Sequence, residues 1–296
     1  MKKFVLYTLI LALLSPICVF AQDAEETEPV ADSVITESKN DQGNDIININ
    51  RRWKFQLLSW DTKLTGHVQI SDDDNVNKAD KITFGKDISF SKEKIPGFRA
   101  SYAWGGRTTF ELSYANQDHD GKLSVKRKFN GKNFDVNASL RLQNEWVDLA
   151  WVRKLSHSFN EEGHEKSYFS GIFGIKVNYT NIELTNPVAA GLTVGARAEW
   201  AEAIPIPYLG IEGGLLMGKS LWLKANCRIF KLNYDEYSAE HHDYIVNVAY
   251  RLNEQNKNQD WFFNVGYRDV NYDISGDGDE VLIEYKGPIV GVDVHF

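Results

Sequence analysis

Residues 289–296 read Ile-Val-Gly-Val-Asp-Val-His-Phe. Val290, Val292, Val294 and Phe296 alternate with Ile289, Gly291, Asp293 and His295. A strand therefore carries four apolar residues on one face and a mixed, largely small or polar set on the other. The chain as written ends inside this strand, on an aromatic residue.

The same period of two recurs upstream, in Trp60–Ile70, Phe98–Trp104, Phe110–Tyr114, Val147–Trp151, Phe169–Tyr179, Leu209–Met217, Leu221–Ile229, Tyr244–Leu252 and Trp261–Tyr267. Apolar residues do not recur at 3.6, and Tyr, Phe, Val and Trp dominate, which excludes a helical reading. With the terminal stretch this makes about ten strands. Ser71–Pro96 and Thr180–Glu202 resist apportioning, so eight and twelve strands stand as alternatives.

The fold class expected is all-β, a transmembrane antiparallel β-barrel over residues 53–296. The terminal strand and its aromatic end resemble those of Gram-negative outer-membrane β-barrel proteins. That resemblance implies an outer-membrane location, contact with lipid and lipopolysaccharide, and a terminal Phe296 read by the barrel assembly machinery. A soluble β-sandwich would show the same alternation over a protein core. A leader and the placement of the tryptophans argue for the barrel.

The leader is residues 1–21, a cleaved signal peptide. Lys2 and Lys3 precede the apolar Phe4–Leu14, and Val19-Phe20-Ala21 supplies a small-x-small-like cleavage site. A lipoprotein acylated at Cys18 is the rival, against which Pro16 and Ile17 fit a lipobox poorly. Residues 22–52 are acidic and poor in aromatics, which reads as a flexible periplasmic linker. No apolar run long enough for a transmembrane helix follows. Cys227 is the one cysteine after the leader, so an internal disulfide is excluded. A net charge of −8 argues against nucleic acid as a partner. A charged fraction of 25% is too high for a helical membrane protein and fits strands that are only half apolar.

If the last strand runs down to the periplasm, alternating directions place Trp60, Trp104, Trp151, Trp261 and Phe296 at periplasmic strand ends, all outward by phase. They would form an aromatic girdle at the membrane boundary. The opposite phase then lines the lumen with Asp61, Lys63, Arg99, Glu111, Asp148, Lys176, Glu212, Lys224, Arg228, Arg251, Arg268 and Asp293. Turns centred on Gly105 and Gly218 would set Arg99 opposite Glu111 and Glu212 opposite Lys224. Such turns must be odd in length to keep like faces together. A barrel of eight to ten strands is largely filled by side chains, and mixed charges inside it must pair.

His67 and His295 face the lumen by phase, whereas His119, His241 and His242 fall in expected outer loops. Neither a nucleophile elbow nor zinc spacing is present, and catalytic residues, metal and cofactor are all expected to be none. The acidic clusters Ser71–Asn75 and Gly276–Glu280 have calcium-like oxygen spacing without a full EF-hand loop. Lys122, Lys126, Arg127, Lys128 and Lys132 sit in an expected outer hairpin, where they could meet lipopolysaccharide phosphates. The expectation is a non-enzymatic barrel with a structural or interaction role. A narrow channel and a lipid-modifying hydrolase are the alternatives.

Overall fold

The computed structural model describes residues 36–39, 45–48, 52–71, 79–90, 93–104, 106–160, 165–187, 196–253 and 259–296. The expected signal peptide, residues 1–21, lies outside them. The chain divides into Met1–Asn50 and Arg51–Phe296. In the first unit Thr36–Lys39 pairs antiparallel with Asp45–Asn48. Thr36, Ile46 and Ile47 are β-branched residues suited to extended backbone.

The second unit is a closed antiparallel barrel of ten strands. They are β1 (Trp53–Gln69), β2 (Glu93–Trp104), β3 (Thr108–Leu123), β4 (Ser139–Phe159), β5 (Glu165–Thr185), β6 (Arg197–Met217), β7 (Leu221–Tyr234), β8 (Tyr237–Arg251), β9 (Asp260–Gly276) and β10 (Asp279–His295). Each pairs with its neighbour in sequence, and β10 pairs with β1 to close the ring. Phe296 exchanges backbone hydrogen bonds of 2.8 and 2.9 Å with Trp53. The expected β-sandwich alternative falls here, because the sheet closes on itself.

The turns are odd, as phase requires, but they sit one position later than expected. Trp104 pairs with Thr108 and Met217 with Leu221, so Arg99 opposes Ser113 and Glu212 opposes Asn226. A slip of two residues leaves every face unchanged. It does, however, replace both expected charge pairs.

A belt of apolar side chains faces outward around the end that carries both barrel termini. One row runs Leu57, Phe98, Tyr114, Val147, Val177, each opposite the next across the sheet. All five are exposed, and a belt of this kind is what lipid contacts in a transmembrane barrel. Trp104, Trp151, Trp261 and Phe296 point outward from it. Beyond the belt the strands continue for several residues with ion pairs outside, such as Arg197–Glu183 at 2.9 Å and Lys231–Glu240 at 2.7 Å. The barrel therefore projects past the apolar belt at its loop end.

Trp60 corrects the expected girdle. It is 2% exposed and points into the lumen, whereas Asp61 and Lys63 face outward. The expected phase of β1 was inverted because Trp60, Leu64 and Val68 are apolar for a different reason. They belong to a protein core that fills the loop-end lumen, together with Leu140, Leu142, Ile182, Leu184, Ile283 and Tyr285. The segment between β1 and β2 feeds the same core. Strand β2 is short, and above it Ile82–Thr83 pairs with β1 while Ile88–Phe90 pairs with β3. Ile82, Phe84 and Ile88 turn inward, and Phe129 and Phe134 of the β3–β4 hairpin join them.

One seam is incomplete. Strand β6 pairs with β5 from Leu215 to Arg197, but with β7 only from Met217 to Leu209. Asn186 donates to Ala196 (2.8 Å), so even-numbered residues of β6 bond β5 and odd-numbered ones face the β7 side. Pro205 and Pro207 fall on that unpaired edge, where a missing N–H costs no ladder bond. Nearer the loops, the free carbonyls of Arg197 and Glu199 accept from Lys132 Nζ (2.7 Å) and Asn130 Nδ2 (3.1 Å).

Candidate functional site

The lumen is layered. Below the apolar core, β5, β8 and β9 bring Lys176, Asp243 and Arg268 together. Lys176 Nζ lies 3.0 Å from Asp243 Oδ2, and the Arg268 guanidinium grips the same carboxylate through Nε (2.9 Å) and Nη2 (2.7 Å). The forked guanidinium matches a carboxylate in just this two-bond geometry. His241 bridges Lys176 Nζ (3.2 Å) and the Asn271 carbonyl (2.7 Å). Trp60 and Trp146 stack on Arg268, with ring centres 5.0 and 5.5 Å from the guanidinium carbon. All these side chains except Trp60 and Trp146 are polar, and all are buried.

A second cluster stands beside it on β3, β4, β6 and β7. Arg228 Nη1 donates to Asp148 Oδ2 (2.6 Å) and Nη2 to Glu111 Oε2 (3.1 Å), while Tyr208 donates to Asp148 Oδ1 (2.5 Å). Each buried charge thus faces an opposite one, which such burial demands.

Towards the terminal end lies a cavity of about 120 Å³. Its walls carry Lys54, Arg99, Glu212, Lys224, Asn264 and Asp293 among others. Asp293 receives Gln56 Nε2 at 2.7 Å and has Lys224 at 3.9 Å. Lys224 and Arg251 both lie over the Phe262 ring, at 5.4 and 5.5 Å. Phe262 packs with Trp222, Leu216 and Ala249 into an apolar cluster at this end.

Of the twelve charges expected in the lumen, Arg99, Glu111, Asp148, Lys176, Glu212, Lys224, Arg228, Arg251, Arg268 and Asp293 take inward positions. Asp61 and Lys63 do not, for the reason given above. The histidines are also rearranged. His67 faces outward and sits 2.7 Å from Glu280. His119, expected in a solvated loop, is fully buried between Phe90 and Tyr285. His241 is buried likewise, and of the three expected in loops His242 alone keeps an outward place, 3.6 Å from Asp269. Sequence reasoning stopped these strands too early, and the period-two register of His241 with Asp243 was the signal that would have extended β8.

The outer clusters are internally engaged. Lys126 pairs with Asp135 (3.0 Å), Arg127 with Asp87 (2.8 Å), and Lys132 bonds a backbone carbonyl. Of the residues proposed for calcium, 72–75 lie outside the described ones. Asp277 accepts from Tyr237, Asp279 from the Ser71 amide (2.8 Å), and Glu280 pairs with His67 and Lys81. Asp277 and Gly278 have φ of 50° and 83°, the tight Asp-Gly hairpin turn and not a ligand loop.

The ten strands form a closed ring with an apolar outer belt. It is similar in fold to an outer-membrane protease. That protein, OmpT of Escherichia coli, aligns with a TM-score of 0.51 at 10% identity over 83% of this chain and 97% of its own. The Pseudomonas putida toluene transporter TodX aligns at 0.30, with 11% identity over 82% and 89%. The β-domain of the Bordetella autotransporter BrkA aligns at 0.30, with 8% identity over 83% and 100%. The first likeness shows the outer-membrane type of barrel fold alone, and the other two carry no argument. No family model and no curated protein matches the sequence.

Proposed function

We propose that this chain is a sealed barrel of a Gram-negative outer membrane, acting as a structural or interaction scaffold that presents its loop-end extension to the medium. The terminal end would then face the periplasm, with Phe296 available to the assembly machinery and the leader removed on export. One observation carries the reading. Side chains from ten strands and two inserted loops fill the loop-end lumen as a protein core, in which Val68, Ile82, Leu140, Ile182 and Tyr285 are completely buried. Water and ions have no route through close-packed apolar side chains.

Planar-bilayer recording of the refolded barrel tests this. The expected outcome is no unitary conductance, and steady single-channel steps would overturn the scaffold reading in favour of a narrow channel. His67 and His295 sit at opposite ends of the β1–β10 pair, so they do not share one site.

A further inference from the structure

We infer that the terminal-end cavity is a binding site for a small oxyanion that also carries a hydrogen-bond donor, such as hydrogenphosphate or a small hydroxycarboxylate. Six charged side chains line it: Lys54, Arg99 and Lys224 against Glu111, Glu212 and Asp293. Two of the acids are already matched. Glu111 is held by Arg228 at 3.1 Å, and Asp293 by Gln56 at 2.7 Å with Lys224 at 3.9 Å. Lys54, Arg99 and Glu212 remain, with no ion pair within 4 Å among the described residues. The clusters above contrast with this, since there each buried charge is in contact with its opposite.

The neutral side chains point the same way. Arg99 Nε, Asn226 Nδ2 and Asn264 Nδ2 are buried donors without a partner. Asn264 is 1% exposed, and its Oδ1 already accepts from Asn247 Nδ2 at 3.0 Å. The Asn226 Oδ1 is likewise occupied by Arg228 Nε at 3.2 Å. Unmatched buried donors cost about 1–3 kcal/mol each, and an acceptor-rich guest removes that cost at three places. Two unpaired cations supply the charge for an anion. Glu212, the one unpaired acid, accepts a hydroxyl from the same guest and repels one that lacks it. About 120 Å³ holds a guest of a few heavy atoms, since on the same measure a single water needs about 10–15 Å³. Lys54 is exposed at the terminal end, which marks the way in.

The test is calorimetric titration of the full barrel in detergent with inorganic phosphate, lactate and acetate at constant ionic strength. Saturable one-to-one binding of phosphate or lactate, at least tenfold tighter than acetate, is expected, and which of the two binds tighter identifies the class. Arg99→Gln and Asn264→Leu should each weaken it tenfold or more, and Glu212→Gln should bring acetate level with lactate. Retained heat-modifiable gel mobility shows that each variant is folded. Absence of saturable heat with all three probes, or binding indifferent to Arg99 and Asn264, overturns the assignment. Conductance is a separate readout, so the scaffold reading stands or falls independently.

Discussion

Gly174 on β5 and Tyr208 on β6 stand opposite one another inside the barrel, so close that a Cβ on Gly174 would lie 2.4 Å from the tyrosine hydroxyl. The missing side chain is what lets Tyr208 lie flat over the wall and reach Asp148. Gly174→Ala is therefore expected to destabilise the barrel by about 1–3 kcal/mol, as overpacking of a filled interior does. Urea unfolding from lipid vesicles measures it. Adding Tyr208→Leu should return part of the loss, because it relieves the clash with that ring and leaves the one with the Leu149 carbonyl, 2.7 Å from the same Cβ.

Asp243 neutralises two cations at once. Asp243→Asn leaves Lys176 and Arg268 buried without a carboxylate and should cost about 3–5 kcal/mol. Glu240→Gln, three residues away, breaks the ion pair with Lys231 on the outer surface, where solvent screens it. The same unfolding assay should show a large shift for the first and no measurable shift for the second.

Asp87 links the inserted loop to the β3–β4 hairpin, outside the apolar belt. Burial pushes its carboxyl up, but the Thr83 amide and the Arg127 guanidinium outweigh this and hold it below the ordinary aspartate range. A depressed folded value means that the contribution is present above the unfolded value, about 3.9, and is lost as pH falls through the folded one. Hydrogen exchange at the Thr83 amide, which donates to Asp87 at 3.0 Å, should therefore accelerate below that pH relative to neighbouring amides. Asp87→Asn should remove the pH-dependent part.

The half-paired edge of β6 predicts an alternating exchange pattern. Amides of Glu202, Ile204 and Ile206 bond β5 and should be protected, whereas those of Ala201 and Ala203 face the gap and should exchange quickly. Amide-resolved exchange by NMR in micelles reads this directly. Uniform protection along 201–206 would mean that β7 closes the ladder after all.

How much of the barrel was legible beforehand depends on which signal each residue carries. Period-two alternation placed ten strands, and the odd turns that keep like faces together followed from it. A shift of two residues in the turns was invisible to that argument, because it preserves every face while changing every partner. Thus Arg99 and Glu212 were correctly inward, yet neither meets the residue expected for it. The strand extensions were missed where outward residues turn polar, as at Glu183, Glu199 and Glu240, since charge outside the belt reads like a loop.

Composition and alternation alone determined the all-β class, a strand count near ten and the side of the wall on which most charges lie. Pleating allows only two faces, and a continuous apolar run on one of them leaves little freedom. Only the tertiary structure decided what each apolar face touches. Trp60, Leu64 and Val68 carry the same pattern as Val290 and Val292, yet the first set is buried in protein and the second is outward. A side chain's hydrophobicity records that water is excluded from it. Whether lipid or another side chain does the excluding is settled by residues such as Ile82, Phe84 and Phe129, which arrive from distant loops to fill the ring.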